Sequence, residues 1–417
     1  MNNRFTASLL ALPLALSTAF AQEASDAPTV RISGFGTGAL TWANTDHAQF
    51  ARPNQASGAG KHARTGVDSN LGLQADYALN NWLSVTGQGL VRKDAQDDYG
   101  AELAWAFAKA RLSDDVSVRV GRISPPVFMI SDYRNVGYAN TTVRPPVEMY
   151  SQVAFNSLDG GDVTWQRSFG ATTYTAQFVL GRTRSDLVGG FHVDVSGIKA
   201  LNLVAEHGPL TLRFGRVDAK ISVPDSPQLN TLLGSLRATG AGYQLSQLAP
   251  LADAIAVDHK KASFTSLGLG LDWNNIVVQS EYARRKTDTY VNDTTSWYLM
   301  GGYRIGSFLP YYRHARLSVD GTVANTVPAA CPAGYPAACT PTLQALSAAV
   351  ASLRTTGSGQ GEQTSDTIGI RWDFHRSMAL KLQLDRVKPQ GAGLFVQPKP
   401  GFNGPVTVGA AALDFVF

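Results

Sequence analysis

The side chains with the most chemical potential are charged, and they recur at one kind of position. Arg92, Arg119, Arg213, Arg313, Arg371 and Lys381 lie in segments where every second residue is apolar, on the parity opposite to the apolar set. Asp76, Glu102, Asp162, Asp272, Glu281, Asp373 and Asp385 meet the same test. Bases and acids interspersed in this way suit a polar passage that selects by width and by the charges lining it. Arg119, Arg213, Arg313 and Glu281 fall near mid-segment, where such a passage would be narrowest. Arg122 is counted with this lining set, although its parity follows Val116, Val118 and Val120. Anchoring a loop, or pairing across a subunit interface, is its alternative. Lys109 and Arg111 share the parity of Leu103, Trp105 and Phe107 and read as side chains that snorkel at a rim.

Bond-making chemistry has less support. Most of the histidines, His47, His62, His192, His207, His259, His314 and His375, fall in loops or turns. None has a nucleophile and an acidic partner at a readable spacing, although such partners can be distant in sequence. No cofactor motif appears, and the chain reads as a non-enzyme without cofactor or metal.

The charged positions need strands to hold them. Alternation of period two recurs along the chain. In 70–77 it sets Leu71, Leu73, Ala75 and Tyr77 against Asn70, Gly72, Gln74 and Asp76. In 367–374 it sets Ile368, Ile370, Trp372 and Phe374 against Thr367, Gly369, Arg371 and Asp373. About sixteen such spans run from Val30 to Phe417: 30–43, 67–78, 82–93, 101–112, 115–122, 158–168, 171–182, 197–206, 209–220, 263–273, 275–286, 295–304, 307–317, 365–374, 377–388 and 404–417. Tight links such as Asn80-Asn81 and Asn274-Asn275 alternate with longer ones, the largest being 44–66, 123–157, 221–262 and 318–364. That alternation is the topology of an antiparallel transmembrane β-barrel, with short turns at one rim and long loops at the other. The seven tryptophans, at 42, 82, 105, 165, 273, 297 and 372, lie in strands or at strand ends, as aromatic girdles require. An arginine or lysine facing lipid at mid-membrane would cost about 2–4 kcal/mol, which favours the inward assignment of the charged set. Segments 229–236 and 343–353 carry Leu and Ala at helical spacing and are too short to span a membrane.

Bulk composition agrees. Charged residues are 16% of the 417 and hydrophobic residues 44%, yet mean hydropathy is −0.09. Half-apolar strands give that combination. The formal charge of +4, or +3 once Arg4 is removed, with no block of like charges, does not point to a nucleic-acid partner. Arg4, a short Leu/Ala core and the Ala19-Phe20-Ala21 site form a cleavable signal over 1–21, leaving 22–417 as a single barrel domain. Export implies an oxidising compartment, so Cys331 and Cys339 read as a disulfide. It would staple a small loop, at roughly 2–3 kcal/mol in the loop-entropy model. The last strand, ending Leu413, Asp414, Phe415, Val416 and Phe417, reads as the seam that pairs with the first. An open edge in lipid would leave backbone groups unsatisfied at several kcal/mol each.

With its signal, its sixteen alternating spans and its terminal Phe417, the chain resembles the Gram-negative outer-membrane porins. The resemblance covers essentially all of 22–417. It implies a homotrimer in the outer membrane, in contact with lipid and lipopolysaccharide, with Phe417 read by the barrel-assembly machinery. Val118-Arg119-Val120-Gly121-Arg122 looks like the end of the family's fifth strand, where a constriction loop folds into the pore. Here that loop carries Asp132, Tyr133, Arg134, Arg144 and Glu148. The usual acidic sequence of the general porins is not evident in it. Either Asp132 and Glu148 face the wall arginines across an eyelet, or these residues are turn and packing groups held by local hydrogen bonds. The resemblance implies passive diffusion of ions and small hydrophilic solutes, with mild anion preference from the mid-strand arginines. A substrate-selective uptake channel for organic or aromatic acids is the alternative. Ala104, Ala106 and Ala108 are small enough to let the loop pack closely inside.

Overall fold

Each stretch of period-two alternation forms a strand. The computed structural model describes residues 29–153, 155–353 and 361–417, so the signal segment expected over 1–21 lies outside the described residues. The first strands are β1 (Thr29–Ala43), β2 (Asn70–Ala78), β3 (Leu83–Lys93), β4 (Tyr99–Arg111) and β5 (Val116–Ile123). Then come β6 (Leu158–Phe169), β7 (Thr172–Leu187), β8 (Phe191–His207), β9 (Leu210–Ser222), β10 (Lys260–Trp273) and β11 (Ile276–Thr287). The wall ends with β12 (Asp293–Tyr303), β13 (Phe308–Gly321), β14 (Gln363–His375), β15 (Met378–Pro389) and β16 (Val406–Val416). The sixteen strands form one closed antiparallel barrel, each paired with its sequence neighbour and β1 with β16.

At the seam Phe35 lies opposite Val416 and Ala43 opposite Val408. Gly34 and Phe417 exchange both backbone hydrogen bonds at 3.0 Å. The Phe417 ring lies across β1 where a Cβ on residue 34 would come within 2.3 Å of its tip, so a larger residue there would push the ring aside.

The connections are less regular than a strict alternation of short and long. The outer links 94–98, 188–190 and 288–292 are short. Residues 183–196, which the sequence leaves between spans, instead extend the β7–β8 hairpin, and irregularities at Gly181/Thr183 and Ser196/Lys199 absorb the break in pattern. The helical segments form α2 (Pro227–Gly242) and α4 (Cys339–Leu353), with α1 (Val147–Tyr150) and α3 (Leu248–Ile255) besides. Ser226 caps α2 by accepting from the Leu229 amide. The loops 223–259 and 322–362 meet through Tyr243 and Tyr335, whose rings are 5.6 Å apart edge to face. Cys331 and Cys339 are disulfide-bonded, tying the preceding loop to the first residue of α4.

Large apolar side chains such as Leu71, Leu73, Leu267, Ile368 and Leu384 project from the outer wall. The principal hydrophobic cluster is inside. Val127, Phe128, Met149 and Tyr150 of the loop after β5 pack with Leu236 of α2, Leu343 of α4 and inward residues of β8 to β13, including Ile198, Phe264, Met300 and Tyr311.

Candidate channel lumen

The loop 124–157 turns inward from β5, which is only eight residues long. A chain crossing a lumen leaves the strand ladder, and its carbonyls then need other donors. The inward cations of the wall supply them. Arg213 on β9 donates to the Pro126 and Val127 carbonyls at 2.5 and 3.2 Å. Arg371 on β14 donates to Tyr138 and Asn140 at 2.8 and 2.9 Å. Lys381 on β15 donates to Gly137, Asn140 and Thr142 at 2.7, 2.5 and 3.2 Å and pairs with Asp414 of β16 at 2.8 Å. Arg313 on β13 donates to the Arg144 carbonyl at 2.9 Å. Glu281 on β11 accepts from the Met129 amide at 2.7 Å and from the Tyr150 and Tyr298 hydroxyls at 2.6 and 2.9 Å.

Arg144 is the loop's own anchor. Its guanidinium, 2% exposed, bonds Asp68 at 2.6 Å and Asp385 at 2.7 Å. Burial opposes ionisation of Asp68, but the guanidinium beside it outweighs that and holds the carboxyl below the usual carboxylate range. Burial likewise opposes the charge on Arg144, and its two carboxylates raise it above the ordinary arginine value. Burial pushes Glu148 up, and its carboxylate accepts from Gln363 at 2.7 Å. Arg134, which bonds Asn156, is pulled down to about 9 by burial and by the neighbouring Arg92.

The wall from β9 round to β16 and β1 is therefore covered where the loop crosses it, while Asp272, Gln279 and Asp373 stay partly exposed beside a recess under the loop. Arg213, Glu281, Arg313, Arg371 and Lys381 are all buried beneath the loop. The sector from β2 to β6 differs. There Gln74, Asp76, Thr86, Arg92, Lys109 and Arg119 stay partly exposed to the interior. Thr86 donates to Asp76 at 2.6 Å and Gln74 to the same carboxylate at 2.8 Å. Arg92 pairs with Glu102 at 2.9 Å and Arg119 with Asp162 at 2.5 Å. Asp132 is the loop's exposed acid on this side, and it lines a recess with Gln88, Glu102, Trp105 and Arg134.

Several expectations need correcting. Arg122 does not line the lumen. It lies opposite Ala106, shares its face with Val120 on the outer wall, and pairs with Asp159 at 2.7 Å. Glu148 is turned to Gln363 and does not face the wall arginines across an eyelet. Tyr133 is half-buried against the inner cluster. Ala106 and Ala108 face outward, in register with Arg122 and Val120, and do not pack the loop.

The parity of β4 breaks at one residue. Gln88 pairs with Trp105 and Gly89 with Leu103, so Ala104 is extra. Leu103 points out, while Trp105, Phe107 and Lys109 point in. Trp105 is thus not a girdle residue, and Lys109 does not snorkel at the rim. The sequence carried one signal for this. Glu102 and Lys109 have opposite parity within a single strand, and both can face water only if an extra residue lies between them.

No family model matches the chain, and no curated protein matches it. Solved structures do. It is similar to OmpF of Salmonella typhi in complex with daunomycin, at 13% identity over 93% of this chain and 97% of that one, with a TM-score of 0.54. It is similar to the outer membrane channel DcaP of Acinetobacter baumannii at 10% identity, over 94% of this chain and 97% of that one, with a TM-score of 0.53. The trimer form of OmpT, an outer membrane protein of Vibrio cholerae, matches at 12% identity, over 94% and 100%, with a TM-score of 0.50. At these identities the likeness is one of fold: this is the closed barrel of the Gram-negative outer-membrane porins.

Proposed function

We propose that the chain, exported by a signal over 1–21 and cleaved before Gln22, forms a passive outer-membrane channel for ions and small hydrophilic solutes. The observation that carries this reading is the contrast within the wall: from β2 to β6 most polar inward positions, including Gln74, Asp76, Thr86, Arg92 and Arg119, stay partly exposed, whereas Arg213, Glu281, Arg313, Arg371 and Lys381 are buried under the loop. Solutes pass between that sector and the loop 124–157. The docked arginines and Lys381 are spent on carbonyls and carboxylates, so they add little to ion selection. In the open sector Arg92 with Glu102 and Arg119 with Asp162 balance as pairs. Preference for anions is accordingly weak and rests on Lys109 against Asp76 and Asp132. A homotrimer in the outer membrane, contact with lipid and lipopolysaccharide, and delivery through Phe417 to the barrel-assembly machinery complete the reading. The trimer form of the Vibrio cholerae protein supports the first of these.

Planar-bilayer recording of the refolded protein under a salt gradient tests the proposal. Stable conductance steps with a reversal potential near zero are expected. Absence of steps from protein shown to be folded would overturn the channel reading.

A further inference from the structure

Two aromatic rings face the interior in the open sector and stay partly exposed there, whereas its other large inward apolar side chains, Phe35, Leu90, Ile123 and Leu158, are buried. Trp105 and Phe107 are neighbours on one face of β4, with ring centroids 6.3 Å apart. The extra residue at Ala104 turns them there. Bulges cost a ladder position and re-aim side chains. Without this one, both rings would keep the parity of Leu103 and sit in lipid, where apolar surface costs nothing. Both instead remain partly exposed inside the barrel.

The charges around the rings are matched except for Lys109 and Asp132. Arg119 lies over the Phe107 ring at 5.3 Å and is bonded to Asp162, which also accepts from Gln177 at 2.8 Å. Glu102 is engaged by Arg92. Lys109 follows Phe107 on the same face, opposite Arg119 in register. Among the described residues it makes no hydrogen bond or ion pair. Glu102 and Asp132, the acids that would repel an anion, line the recess with Trp105, and Glu102 sits seven positions before Lys109 on β4.

We infer that Trp105, Phe107 and Lys109 form a transit site for planar aromatic carboxylates. The solute's ring lies on the two aromatic faces and its carboxylate meets the Lys109 ammonium. Offset or edge contact with such rings favours flat π-systems over other apolar shapes. A site on a permeation route must also release its solute, so weak, saturable binding, on the order of 1 mM, is expected. The inference rests on the channel reading for the route only; binding itself does not require conduction.

The test separates the two. Benzoate binding to the refolded full chain is measured by calorimetry beside acetate, cyclohexanecarboxylate and benzyl alcohol, and current block by benzoate is recorded in bilayers. Benzoate should bind roughly tenfold more tightly than acetate, and Trp105→Leu should weaken it by about the same factor. Lys109→Gln should abolish the advantage of benzoate over benzyl alcohol. Because that side chain is partly exposed and makes no hydrogen bond or ion pair, this variant keeps the barrel intact even if Trp105→Leu fails to fold. Benzoate binding equal to that of acetate, or unchanged by Lys109→Gln, would overturn the site. Conduction without benzoate binding removes the site and leaves the channel. Binding without conduction leaves the site and removes the channel.

Discussion

Arg313 on β13 and Arg119 on β5 hold comparable inward positions near mid-strand, yet their side chains are 4% and 20% exposed. The difference is what faces them. Opposite Arg313 the loop 124–157 presents a carbonyl that no strand satisfies, and opposite Arg119 the loop leaves space. Arginine in the first setting is a fastening, because buried carbonyls without donors are costly. In the second it is half of a wall ion pair beside solvent. One residue type at one register position thus does two jobs, and the sector decides which.

Breaking a fastening should have the largest effect. Arg144→Met leaves Asp68 buried without its bonded guanidinium and Asp385 with only Arg313, 3.7 Å away, a loss of about 3–5 kcal/mol. The expected result is a lower unfolding temperature for the barrel and a several-fold rise in single-channel conductance as the loop releases. The same pair sets a pH limit. The folded pKa of Asp68 lies below its ordinary value of 3.8, so its contribution is present above that value and lost as pH falls through the folded one. Conductance should therefore be steady from neutrality to pH 5 and rise only in strong acid, as a pH series in bilayers would reveal.

Lys381→Met comes next. It removes a donor from three loop carbonyls, of which Asn140 keeps Arg371 and Gly137 keeps the Asn140 amide, and strips Asp414 of its cation, although Asp414 keeps a 2.6 Å hydrogen bond from Thr37. A loss of about 3 kcal/mol is expected, read by the same melting assay.

A matched pair of variants separates the two sectors. Arg119→Gln should shift the reversal potential toward cation preference, since Asp162 then stands unbalanced beside the route. Arg213→Gln, in the docked sector, should leave it within experimental scatter. Equal shifts would erase the distinction between sectors. Smallest of all is Arg122→Ala on the outer wall. Its pair with Asp159 is 38% and 52% exposed, and such pairs contribute about 0–1 kcal/mol. Conductance should not change, and melting should shift by a degree or two at most.

The strands were legible because alternation is local. Each inward or outward assignment needs only the next residue but one, and from β9 to β16 the parity of Arg213, Glu281, Arg313, Arg371 and Lys381 is as the pattern implies. The pattern fails where one residue is added. Ala104 reversed the reading of Trp105, Phe107 and Lys109, and nothing within the alternation of 105–109 itself reveals it. The use of the inward charges was not legible at all. Whether Arg313 meets water or a carbonyl depends on a loop some 170 positions away in sequence, and no local rule places Thr142 and Arg144 beside it. Gly121, with φ of 133°, sits close under the Ala106 carbonyl just before that loop departs, yet its sequence context reads only as the end of a strand.

The division of the lumen is tested most directly by thiol accessibility. The chain's two cysteines are joined to each other, so a single introduced cysteine is the only reactive thiol. Thr86→Cys on β3 and Ser365→Cys on β14 place it on the inward face of the open and the docked sector respectively. A charged, water-soluble thiol reagent added during bilayer recording should reduce the current promptly at position 86 and leave position 365 unmodified. Equal modification at both positions, or faster modification at 365, would contradict the account.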